Sequence, residues 1–318
     1  MDLAALRALA CPACSGPLSV VGPHGVSVRE GALRCKDDGT TYPVRDGVPI
    51  LIRPSALQNV TAFATAYSAA WRKDGWGGSD ERYLLQLPYR DYTGRQKSKW
   101  KVKARSLRAL TDLLRRYRLR RIVDLGCGNG WLSYRLAERG YEVYAVDILT
   151  DNILGLGVAD MYARRGPPFE RVCGEMEHPP FLASSVDAVI CNASLHYAES
   201  LEVAVRAIGT ILRTGGILCI MNSPVHRDSL SAANAQRDFR QHLMDSGADM
   251  QVVSSYNHFT RSQLESVLSS YVGPLHEWPF NPGNWFRVNR RIKGLVLRME
   301  LASFPILVAA KGYGAAVS

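Results

Sequence analysis

The stretch from residue 122 to residue 147, IVDLGCGNGWLSYRLAERGYEVYAVD, constrains this chain more than any other. A short apolar run ends in Asp124 and Leu125. Glycines follow at positions 126, 128 and 130, a helix-like pattern covers residues 131–139, and a second apolar run ends in Asp147. Strand, glycine turn, helix and strand in that order make half of a parallel α/β unit. Glycine lets a backbone turn sharply and approach a ligand closely, and in open α/β sheets ligands bind beyond the carboxyl ends of the strands. A carboxylate closing the second strand is placed to accept hydrogen bonds from both hydroxyls of a ribose. The spacing Gly-Cys-Gly-Asn-Gly differs from the G-x-G-x-x-G of a pyrophosphate site, and an acid, Asp124, stands just before it.

The alternation continues. Residues 152–164 read as a helix, 169–173 as a third strand and 186–192 as a fourth. Residues 201–212 read as a helix and 216–221 as a fifth strand. Before the first strand, Trp100, Ala104, Leu107, Leu110, Leu114 and Tyr117 recur at helical spacing with Lys and Arg between them, which predicts an amphipathic helix with its cations outside. Beyond residue 225 the alternation breaks. Two helical stretches, 230–245 and 261–269, precede a candidate strand at 271–278 and a strongly apolar one at 304–309, which would fit an antiparallel pair at the end of the sheet. The expectation is an α/β chain with a doubly wound, mostly parallel, seven-stranded sheet.

On these residues the chain resembles the class I S-adenosylmethionine (SAM) dependent methyltransferases. VDLGCGNG is similar to their first motif and YAVD to their second. GEMEHPPF, at 174–181, is similar to their Gly-Asp-Ala-x-x-Leu-Pro-Phe. SVDAVICNASLHY resembles their fourth strand and following loop, and LRTGGILCI their turn into the fifth strand. The resemblance implies a Rossmann-like methyltransferase fold with SAM as cofactor. It further implies that Asp124 and the loop Gly126, Cys127, Gly128, Asn129 and Gly130 hold the methionine part, Asp147 the ribose, Glu175 the adenine amino group and Met176 the ring, with Ile148 beside them and Asn192 next to the amino acid moiety. Two positions depart from the pattern. Glu175 stands for the common Asp and Thr214 for the common Pro.

Methyl transfer needs mainly alignment of donor and acceptor, and often removal of one proton. His196, in the loop after the fourth strand, is the candidate base, because an imidazole titrates near working pH; packing or helix capping is the alternative. Tyr197 and Tyr92 are candidates for shaping the acceptor pocket.

At the other end, Cys11-Pro-Ala-Cys14 is a C-x-x-C knuckle, and Cys35 follows. Residues 1–53 otherwise read as short strands separated by Gly, Pro and Asp turns. With its ending YPVRDGVPI, this module resembles the small zinc-ribbon-like domain that activates tRNA and protein methyltransferases. In that domain the fourth metal ligand is a cysteine; here the position is Asp38, with His24 as an alternative. A carboxylate is an acceptable zinc ligand, so Cys11, Cys14, Cys35 and Asp38 form a candidate structural zinc site. The other reading is a fold that persists without metal. The chain thus divides into a zinc-ribbon-like module at 1–53, an irregular linker or lid at 54–96 that packs partly over the pocket, and a methyltransferase domain at 97–318.

Seven cysteines, an odd count, argue against a disulfide framework. The sequence has no apolar run near membrane-spanning length and no secretory leader pattern, so a cytoplasmic protein is expected. The net charge of +10 is unevenly placed: +1 over residues 1–70, +11 over 71–121, −7 over 122–285 and +5 over 286–318. An acidic core between basic flanks leaves three functions open. The first is methyl transfer to a small molecule or glycoside. The second is methylation of rRNA or tRNA, with phosphates held by Lys97, Lys99, Lys101, Lys103 and the cluster Arg287, Arg290, Arg291, Lys293 and Arg298. The third is a non-catalytic SAM-binding scaffold. The sequence leaves the oligomeric state open.

Overall fold

The computed structural model describes residues 1–22, 25–284, 286, 288 and 301–312. His24 and Arg287, Arg290, Arg291, Lys293 and Arg298 lie outside the described residues.

The chain opens with an antiparallel meander: β1 (Leu18–Val20), β2 (Gly31–Cys35), β3 (Thr41–Arg45) and β4 (Val48–Leu51). The core follows with β5 (Arg121–Leu125), β6 (Glu142–Asp147), β7 (Glu170–Gly174), β8 (Val186–Asn192) and β9 (Leu212–Met221), all parallel. A two-stranded parallel pair, β10 (Val225–His226) and β11 (Phe259–Thr260), lies apart. The hairpin partners β12 (Leu275–Trp278) and β13 (Ile306–Ala310) close the sheet, with β13 antiparallel to β9. The predicted seven strands are present in the order β7-β6-β5-β8-β9-β13-β12. The same sheet continues past β7 through β4, β3, β2 and β1 to make eleven strands. The N-terminal module is therefore continuous with the core: Ile50 and Leu51 pair in parallel with Cys173 and Gly174.

Helices cover both faces of the parallel strands at the centre of the sheet, which are buried on both sides. On one face lie α3 (Lys97–Arg116), α4 (Trp131–Ala137) and α5 (Leu156–Arg165). Leu107, Leu110, Leu114, Leu132, Leu136 and Leu156 pack there with Ile122, Ala145 and Ile190. On the other lie α6 (Leu201–Ile211) and α9 (Arg261–Tyr271), whose Val205, Ile208, Leu264 and Leu268 join Ala5, Ala8 and Leu9 of the N-terminal module over Val123, Val146 and Val189. Among the described residues no helix is long and apolar enough to cross a membrane.

The segment read as an irregular linker is largely helical. It holds α1 (Leu57–Lys73) and the short α2 (Glu81–Leu84). Val60, Phe63, Tyr67 and Trp71 recur at three- and four-residue spacing, a stripe that the glycines and prolines further on obscured. With α7 (Ser229–Asp245) and α8 (Met250–Ser255), inserted between β10 and β11, α1 roofs the carboxyl ends of the parallel strands.

Candidate functional site

Under that roof lies a cavity of about 1160 Å³, against the roughly 300–1,000 Å³ typical of one small-molecule pocket. Gly126, Cys127, Gly128, Asn129, Asp147, Ile148, Glu175, Met176, Asn192 and His196 all line it. Residues predicted from four separate stretches of sequence are thereby brought to one surface.

The glycine loop has specific steric reasons. Gly126 has φ +75°, and a Cβ there would sit 2.4 Å from Cβ of Ser194. Gly128 has φ +56° and offers its N–H to Oδ2 of Asp147 at 2.7 Å. The other oxygen of Asp147 accepts from the Leu149 N–H at 2.9 Å. Two backbone donors thus fix the carboxylate against the cavity wall, and each oxygen keeps lone pairs for a further donor. Burial nevertheless pushes its pKa up to about 6.

Two of the expected cofactor residues do not reach the cavity. Asp124 is fully buried behind the loop. Its Oδ2 accepts from the Ser133 hydroxyl at 2.7 Å, its Oδ1 has no partner among the described residues, and burial pushes its pKa up to about 7. It braces the loop against α4 and does not face a ligand. Gly130 caps the start of α4, where a Cβ would come within 2.9 Å of Cβ of Ala159, so its place is helix packing.

Glu175 lines the cavity, but its carboxylate is already forked to a residue of the N-terminal segment. Arg53 donates from Nη2 to Oε1 at 3.0 Å and from Nε to Oε2 at 3.2 Å. Asn192 accepts at Oδ1 from Asn222 Nδ2 at 2.8 Å. Neither Arg53 nor Asn222 was foreseen, since nothing local in the sequence announces a partner so far along the chain.

His196 is buried with Nδ1 at 3.2 Å from the Ser223 hydroxyl, its ring held between Tyr197 and Tyr256. Burial first, then the fields of His258 and Lys103, hold its pKa down to about 3. The imidazole is thereby held in its neutral form on the cavity wall. Tyr197 lines the same space, with Phe63, Tyr67 and Trp71 from α1, Phe239 from α7 and Tyr256 after α8. Tyr67 meets Tyr197 edge-on at 5.1 Å, and Phe239 lies 4.1 Å from Tyr256 between ring centroids. Tyr92 is elsewhere, exposed under Arg82 and Arg90.

In the N-terminal module one ligand atom from each of Cys11, Cys14, Cys35 and Asp38 lies within 4.8 Å of every other. Cys14 and Cys35 approach to 3.4 Å between sulfurs, and Cys11 Sγ lies 3.4 Å from Oδ2 of Asp38. Three thiols and a carboxylate in that compass fit a tetrahedral structural zinc.

A glycine turn after the first core strand, an acid closing the second and an antiparallel final strand define the site of a SAM-dependent methyltransferase domain. Residues 123–220 match the methyltransferase domain family, and residues 2–47 match the Trm112p-like protein family, so the chain carries both units. Over 298 residues it is 23% identical to an uncharacterized chloroplastic methyltransferase of Arabidopsis thaliana, covering 85% of this chain and 74% of that one. Over 100 residues it is 34% identical to a ubiquinone biosynthesis O-methyltransferase of Aeromonas salmonicida, covering 30% of this chain and 40% of that one. Apart from the plant protein, curated relatives such as these are matched over less than half of their own length, from 18% to 44%. Among solved structures, a methyltransferase complex with the Haloferax volcanii Trm112 activator aligns with TM-score 0.46 at 13% identity, over 70% of this chain and 93% of that one.

Proposed function

We propose that this chain transfers a methyl group from SAM to a small molecule enclosed beneath α1, α7 and α8. Bound SAM supplies a methyl on a sulfonium whose departure leaves a neutral thioether, so the chain's task is to bind, orient and exclude water. The Gly126–Cys127–Gly128–Asn129 turn lines the cavity and would receive the methionine end of SAM. Asp147 would accept the ribose hydroxyls. Ile148 and Met176 would hold the adenine with Glu175, which Arg53 braces, and Asn192 would hold the amino acid end. His196 and the rings of Tyr67, Tyr197 and Tyr256 shape the acceptor space. A base of low strength suits an acceptor that needs little help in losing its proton.

The observation that carries the small-molecule reading is the helical roof over the cavity. A cavity of about 1160 Å³ is roofed by helices and ringed by Phe63, Tyr67, Trp71, Tyr197, Phe239 and Tyr256. Nucleic acid binding draws on an open cationic groove that tracks phosphates. Here Lys103 of the basic segment is half-buried in the cavity wall, which departs from the outward face expected of it, while Lys99 is exposed at the cavity edge. Incubation with methyl-labelled SAM and either a low-molecular-weight bacterial extract or total bacterial RNA tests the reading. Label is expected in the small-molecule fraction; label in RNA alone would overturn it.

A further inference from the structure

Helix α3 sets Lys99 and Lys103 one turn apart on the cavity side, Lys103 half-buried in the wall and Lys99 exposed at its edge. A half-buried lysine with no acid bonded to it is a costly arrangement. The Lys103 ammonium lies 5.3 Å from the ring of Trp100, 5.7 Å from that of Trp76 and 5.9 Å from that of Trp131. Lys99 lies 5.0 Å from the ring of Trp76. The indoles are locked edge to face, Trp100 at 5.6 Å from Trp131 and 6.1 Å from Trp76. Among the described residues neither ammonium has a carboxylate within 4.0 Å or donates a hydrogen bond to the protein. The acids whose fields reach them are Asp124, one of whose oxygens has no partner among the described residues, and Asp74. Asp124 is buried against Ser133, and Asp74 accepts from Trp76 Nε1 at 3.2 Å. Burial, with Lys99 adding repulsion, holds the Lys103 pKa down to about 8.

Two unpaired ammonium groups in an indole-lined wall call for an anion. The cofactor leaves that charge in place, because its sulfonium and ammonium outnumber its one carboxylate. Resting on the methyltransferase reading, we propose that Lys103, seconded by Lys99, anchors a carboxylate of the methyl acceptor, so that the substrate is an organic acid whose apolar or planar body lies against Trp76 and Trp100. Cation–π contacts hold the ammonium in place before the acid arrives, and a charge-assisted hydrogen bond forms on its arrival.

The test uses the full chain and two probes of one shape, 2-naphthoate and 2-naphthamide. Affinity for S-adenosylhomocysteine is measured first by calorimetry; a wild type that fails to bind it refutes the methyltransferase reading itself. Each probe is then titrated into the product-saturated protein. Wild type should prefer the acid by at least about tenfold, Lys103→Met should erase the preference, and Lys103→Arg, which keeps the charge, should retain most of it. S-adenosylhomocysteine affinity should stay within about twofold in both variants, given the tenfold scale of one such bond. Wild type that binds both probes equally, or neither, overturns the proposal. So does a Lys103→Met protein that keeps the preference but loses cofactor affinity, since the lysine would then serve the carboxylate of the cofactor.

Discussion

Replacing Asp147 by Asn tests the cofactor site at its best-defined atom pair. In the free protein the two carboxylate oxygens are fixed by the N–H groups of Gly128 at 2.7 Å and Leu149 at 2.9 Å, so they arrive at a ligand already oriented. Asparagine keeps the shape and one acceptor. Its amide nitrogen must then face one of those two N–H donors, and the negative charge is gone. Loss of one charge-assisted bond to a ribose hydroxyl costs about 1.5–3 kcal/mol, which is roughly 10- to 150-fold in Kd. Isothermal calorimetry with S-adenosylhomocysteine at pH 7.5, paired with a thermal melt to confirm that the loop still packs, reads this directly. An affinity within twofold of wild type, in a protein with an unchanged melt, would refute the placement of a ribose against Asp147.

The same carboxylate gives a pH dependence. Its folded pKa of about 6 lies above the unfolded value, so its ionisation costs stability as pH rises through that range, while the ionised form is the better acceptor for hydroxyls. S-adenosylhomocysteine should therefore bind about fourfold more weakly at pH 5.5 than at 7.5, and Asp147→Asn should flatten that difference. Gly126→Ala forces a Cβ to 2.4 Å from Ser194 at a positive φ; cofactor binding should be lost in calorimetry, and retained affinity would show that the loop can shift aside. Purified protein should carry close to one zinc per chain by elemental analysis, and Cys14→Ser should lose it; a metal-free wild type that melts cooperatively would show the cluster to be vestigial. Total bacterial RNA should bind weakly, with affinity falling by orders of magnitude between low and moderate salt, and tight selective binding at physiological salt would contradict an enclosed acceptor.

The parts of this molecule that were legible in sequence are those whose cause is local. The strand, glycine turn and strand from residue 122 to 147 announce themselves by periodicity, and Asp147 follows from its place at the end of β6. The final antiparallel strands were visible because β13 is so apolar. Long-range pairings were not legible. The parallel register of β4 on β7 joins residues more than a hundred positions apart, and so does the fork from Arg53 to Glu175. The burial of Asp124 behind the loop was not legible, because an acid at the end of a buried strand can point either way and its bond to Ser133 lies on the following helix. Lys99 and Lys103 were read with their neighbours as a solvated stripe. Helical spacing gives the angle around the helix but not how far the roof above it extends.

The continuous sheet changes what the N-terminal module can do. A separate domain on a linker would affect the cofactor site only through collisions. Here β4 is hydrogen-bonded to β7, and β7 ends in Gly174, directly before Glu175. The chain leaves β4 and, two residues on, reaches Arg53, whose backbone N–H and guanidinium both address the Glu175 carboxylate. The pair is part-buried, with the Glu175 side chain only 10% exposed, so breaking it would leave a carboxylate on the cavity wall without its counter-charge, a strongly unfavourable change. From Cys35 in β2 the path to that carboxylate runs through β3 and β4 with backbone hydrogen bonds at every step. Fusing the module to the core fixes that register once, at folding.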